Sequence, residues 1–134
     1  MRKITFVAAA ILTAISTAAL AQLASPVGYL SAASTNSTLV KAGPGQVAGF
    51  VIVNTNATVY YFKFYDKATA PTCGTDTPKW RIPIPASTSG AGFAVSFPVT
   101  INFINGIGFC ITSGIADNDT GNAATGITVN LGVK

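Results

Sequence analysis

From Pro26 onward, turn-forming residues break this chain roughly every 8–12 residues, a spacing that admits short strands and leaves no room for long helices. Residues 38–41 form a first short strand, stopped by Gly43-Pro44-Gly45. Residues 46–54 follow, with Phe50-Val51-Ile52-Val53 as an apolar run, and Asn54-Thr55-Asn56-Ala57 makes a tight turn. Residues 58–67 alternate most strongly. Side chains alternate across a strand, so Tyr60, Phe62 and Phe64 share one face and Val59, Tyr61, Lys63 and Tyr65 the other. Lysine resists burial, which makes the Phe face the core and turns Tyr61, Lys63 and Tyr65 outward.

The remaining strands are residues 79–84, 93–97, 100–104, 107–112 and 127–133. Pro83 has no N–H to donate, so residues 79–84 belong at a sheet edge. Pro98 and Asn105-Gly106 divide the three strands between 93 and 112, and a polar loop runs from 114 to 125. The expected fold is all-β: one antiparallel β-sandwich of about eight strands over residues 34–134, jelly-roll or immunoglobulin-like. Residues 22–33 read as a lead-in, since Pro26 and Gly28 break any helix.

The N-terminus has a different character. Met1-Arg2-Lys3 is basic, an uncharged apolar run extends from Ile4 to Leu20, and Ala19-Leu20-Ala21 supplies a small-x-small site. That order matches a secretory signal peptide over residues 1–21, with a hydrophobic signal helix and cleavage before Gln22. The run is short for a membrane anchor, so membrane association is expected only through an uncleaved leader. The expected location is secreted or periplasmic.

Once Arg2 and Lys3 leave, the cations are Lys41, Lys63, Lys67, Lys79, Arg81 and Lys134, against Asp66, Asp76, Asp117 and Asp119. Six scattered cations do not form a nucleic-acid patch. The chain contains no histidine and no glutamate. A Ser-His-Asp or Cys-His site within one chain is therefore excluded, and the commonest zinc ligand is missing. No catalytic constellation is expected, and no cofactor beyond one weak calcium candidate.

That candidate is the oxygen-rich stretch Asp117-Asn118-Asp119-Thr120-Gly121-Asn122. Asp117, Asp119 and Asn122 alternate along a turn and offer the hard oxygens that Ca²⁺ prefers, although the distal Glu of an EF-hand is absent. The alternative is a solvated loop. Cys73 and Cys110 are the only cysteines. An even count in an exported chain points to a Cys73–Cys110 bridge; two unpaired thiols, with Cys110 simply in the core, are the alternative. The outward Tyr61, Lys63 and Tyr65, with Trp80 nearby, form a candidate interface or sugar-stacking surface; cross-strand packing is the alternative.

Several motifs keep a common order: Val40-Lys41-Ala42-Gly43-Pro44-Gly45, Phe62-Lys63-Phe64-Tyr65-Asp66-Lys67-Ala68, Gly74-Thr75-Asp76-Thr77-Pro78, Ile82-Pro83-Ile84-Pro85, Phe97-Pro98 and Gly114-Ile115-Ala116-Asp117. In that order they resemble small β-sandwich proteins encoded among the structural genes of tailed bacteriophages, over about residues 34–134. The resemblance implies a non-enzymatic structural role at the virion surface, of a decoration or accessory type. The partner is then another copy of the chain or a larger protein assembly. The leader and the cysteine pair depart from that pattern. The alternative is a secreted bacterial carbohydrate- or surface-binding module, with a surface glycan as partner.

Overall fold

The computed structural model describes residues 25–134; the expected signal peptide lies outside the described residues. Eight strands run in chain order: β1 (Ser25–Leu30), β2 (Thr38–Lys41), β3 (Gly45–Asn54), β4 (Tyr60–Asp66), β5 (Trp80–Ile84), β6 (Gly92–Phe103), β7 (Ile107–Thr112) and β8 (Ile127–Val133). They form two antiparallel four-stranded sheets, ordered β1-β8-β3-β6 and β2-β7-β4-β5. No helix occurs among the described residues.

Alternation builds the core. Val47, Phe50 and Ile52 of β3 and Ile127, Val129 and Leu131 of β8 point inward from the first sheet. Phe62 and Phe64 of β4 and Ile107, Phe109 and Ile111 of β7 meet them from the second. Rings lock the two layers together: Tyr29 of β1 stands edge-on to Phe109 of β7 with centroids 5.0 Å apart, and Phe64 of β4 lies tilted against Phe103 of β6 at 5.7 Å.

Two expectations are corrected here. The lead-in over 22–33 is a strand over most of its described part, because Ser25–Leu30 pairs along its length with β8. Pro26 and Gly28 are poor strand formers, but β1 is an edge strand, where a missing N–H costs no ladder bond. The two strands expected on either side of Pro98 are one strand, β6. Gly49 faces Ser96 while Val47 faces Ile101, so β6 bulges around Pro98 and resumes. Pro83 does lie at a sheet edge, in β5.

Candidate functional site

Each sheet has an outer face, and the two are finished differently. On the second sheet, Tyr61, Lys63 and Tyr65 of β4 stand opposite Thr112, Cys110 and Gly108 of β7. Two loops cover this row. The first, 67–79, is tied down by the Cys73–Cys110 disulfide, whose Cα atoms are 6.1 Å apart and so within bridging range. Gly108 has no side chain, and Pro71 of this loop sits where a Cβ would meet its ring at 2.9 Å. Lys67 pairs with Asp76 at 2.5 Å, and the Thr72 N–H donates to the same carboxylate at 2.7 Å.

The second cover is the loop between β7 and β8. Lys63 Nζ donates to the Ala116 carbonyl at 2.6 Å, and the Arg81 guanidinium grips the Asp117 carboxylate with two nitrogens. The Gly114 N–H donates to Asp119 Oδ2 at 2.8 Å, and the Ala123 N–H donates to the Ser34 carbonyl at 2.9 Å.

The sequence placed Tyr61, Lys63 and Tyr65 on the side away from the core, and that side is correct. Their expected exposure is corrected: Lys63 is 0% exposed and Tyr65 1%. Lysine can be buried here because its ammonium reaches a loop carbonyl. Burial lowers the Lys63 pKa, while Asp119 and Asp117 pull it back up. Burial first, then Asp117 and Asp76, push the Tyr65 hydroxyl up to about 12. Its oxygen is buried with no hydrogen-bond partner among the described residues. Trp80 keeps 39% exposure but packs against Phe97, centroids 5.2 Å apart. The four expected surface residues therefore do not make one open face.

The calcium candidates are engaged separately. Asp117 is held by Arg81, which lowers its pKa, and Asp119 accepts from the loop backbone. Among the described residues no group of three or more His, Cys, Asp or Glu side chains gathers.

Among the described residues, no loop covers the outer face of the first sheet in this way. Register sorts its outward residues into three rows running across all four strands. The middle row is Gly28, Asn130, Val51 and Ala94. One side of it lies the row Leu30, Thr128, Val53 and Gly92. The other side lies the row Pro26, Gly132, Gly49 and Ser96. None of these residues is charged, and none is larger than leucine. A shallow groove of about 400 Å³ follows the glycine-bearing third row, between Pro26, Gly49, Ala94 and Gly132. Leu30, 66% exposed, and Val51, 43% exposed, stand proud of it.

Sequence reasoning missed this face. The signal was present: the residues between the core positions of β3, β6 and β8 are small and uncharged throughout. Antiparallel sheets with one wet face normally alternate apolar with polar or charged residues, and here the second set is uncharged, with Ser96, Thr128 and Asn130 the only polar members of its three rows.

No protein-family model, curated protein or solved structure matches this chain.

Proposed function

We propose that this protein is a non-enzymatic structural or surface subunit, of the virion decoration or accessory type, that self-associates or docks onto a larger assembly. One observation carries the reading. Among the described residues, the outer face of the β1-β8-β3-β6 sheet is open, uncharged and largely apolar across its full width, whereas the other sheet is sealed by bonded loops. Contiguous apolar surface of this kind marks an interaction site. The face has no charged side chain, and its polar side chains are three, Ser96, Thr128 and Asn130, one in each row rather than gathered in one pocket.

The fold reading sharpens accordingly. The order β1-β8-β3-β6 over β2-β7-β4-β5 is the order that two nested Greek keys produce, and we read the sandwich as a jelly roll. Jelly rolls occur in capsid and lectin domains, so the fold by itself is an analogy. The resemblance of the motif order to phage structural proteins favours the capsid-like use. The leader and the disulfide favour an oxidising compartment outside the cytoplasm.

Gradient sedimentation of material from the native source tests the reading. The protein should travel with particles or envelope assemblies far heavier than itself. Recovery solely as a freely diffusing domain would overturn it.

A further inference from the structure

We infer that the open face of the first sheet is covered by a second copy of this chain, packed face to face about a two-fold axis. The inference rests on the assembly reading above and names its first partner.

Charge selects the occupant. A two-fold interface brings one patch against itself, so any charge near the axis meets its own kind. The three outward rows contain no formal charge, and the cations and aspartates of the described residues lie outside them. This face can meet its own copy without opposing like charges. A charged partner would find nothing there to recognise.

Shape agrees. Place the axis along the middle row, and each copy's Leu30 row lies over the partner's glycine row. Val53 and Thr128 then project toward the partner's Gly49 and Gly132, which have no side chains, and Leu30 lies over the partner's Pro26 at the end of the same groove. Ridge and groove sit on one face, on opposite sides of the axis, as a self-complementary interface requires. The same axis brings Val51 against the partner's Val51. It also keeps Lys134, just past the end of β8, away from its counterpart.

The test is a charge swap at Val51. The full chain is produced in an exporting host, its N-terminus is read by intact mass, and its oligomeric state is followed by light scattering over a wide concentration range. Wild type should be a dimer. Val51→Lys should weaken dimerisation about a hundredfold or more, because like charges meet at the axis. At a concentration low enough that both proteins are monomeric, its thermal unfolding should stay near wild type, since Val51 faces water in the monomer. Mixing Val51→Lys with Val51→Glu should restore a dimer containing one of each. If Val51→Lys fails to fold, Ala94→Lys on edge strand β6 replaces it.

A wild type that is monomeric at every concentration overturns the inference. So does a folded lysine variant that dimerises like wild type. A dimer that forms only when residues 1–21 are retained overturns it in favour of that segment. A monomer that binds neutral phospholipid vesicles through this face overturns it in favour of lipid. A monomer that still sediments with a larger particle removes the second copy and leaves the assembly reading standing. A dimer recovered free of any particle does the reverse.

Discussion

Lys63 stands directly opposite Cys110 across the β4–β7 ladder, and both are fully buried on the side of the second sheet turned away from the core. The disulfide from Cys110 to Cys73 holds down one covering loop, and the Lys63 ammonium is bonded to the other. The two covers meet over one strand pair, so this side of the sandwich works as a third layer.

Removing the bridge should loosen that layer and destabilise the fold. The cysteines are 37 residues apart in sequence. The chain-entropy estimate for such a loop is about 3–4 kcal/mol. Cys73→Ser/Cys110→Ser should lose that much in denaturant titration and become sensitive to protease within 67–79. A double variant as stable as wild type would show that the loop is held by Pro71 and Asp76 alone.

Lys63 should prove replaceable by an apolar residue of similar length. Its ammonium is desolvated, and its one acceptor, the carbonyl of Ala116, belongs to an exposed residue that water can reach. Buried charges exchanged for well-packed apolar groups are often neutral or stabilising. Lys63→Met should remain within about 1 kcal/mol of wild type, whereas Lys63→Ala, which empties packed volume, should lose about 2–4 kcal/mol. Burial lowers the folded-state pKa of Lys63, so the unfolded chain binds more protons between that value and 10.5. The wild-type contribution from this residue therefore improves as pH rises through that window, and the Met variant lacks the trend. Chemical denaturation at stepped pH reads both effects.

Alternation in residues 58–67 was enough to put Phe62 and Phe64 in the core, because side-chain period is a local property of a strand. The same alternation says which residues share a face and nothing of what lies over it. Lys63 and Tyr65 are buried by segments that arrive from Ala116 and Cys73, through contacts long-range in sequence and irregular in backbone. β1 escaped notice for a related reason. Pro26 and Gly28 oppose strand structure locally, and pairing with β8, about a hundred residues on, overrides them. The open face of the first sheet was legible in principle, since Gly49, Val51, Ala94, Ser96 and Asn130 alternate with core residues in the sequence itself. Knowing that these strands are neighbours required the structure.

Asp66 should account for part of the acid sensitivity. Burial alone would raise its pKa; the N–H groups of Asn105, Ile104 and Gly106, with the Lys79 ammonium, outweigh burial and hold it at about 2. Gly106 can sit so close because it has no side chain, and a Cβ there would meet the Lys41 carbonyl at 2.7 Å. A depressed carboxyl pKa contributes stability above the unfolded value of 3.8, and that contribution is lost as pH falls through about 2. After allowance for solvent screening at this turn, Asp66→Asn should cost about 1–2 kcal/mol at neutral pH. Wild type and variant should converge near pH 2, as measured by urea unfolding. A constant difference across the whole range would assign the loss to packing.

Tyr65 offers the sharpest test of the buried layer. Its ring is enclosed between the strand and the loops, but its hydroxyl has no partner among the described residues. An unpaired buried hydroxyl is a liability, and removing it without changing the ring should help. Tyr65→Phe should stabilise the protein by about 1 kcal/mol at neutral pH. The pH dependence follows from the raised pKa. The folded hydroxyl titrates at about 12, against 10.0 for the free side chain. The folded state therefore holds its proton where the unfolded chain has released it. Stability from this group is intact below pH 10 and drains away as pH rises toward 12. Tyr65→Phe should remove that alkaline loss, so its advantage over wild type should grow between pH 10 and 12. Guanidinium titrations across that interval, with tyrosinate absorbance followed in parallel, measure both terms. If Tyr65→Phe is instead destabilised by a kilocalorie or more at neutral pH, the hydroxyl has a partner in solution, and an ordered water bridging it to the loop backbone becomes the explanation.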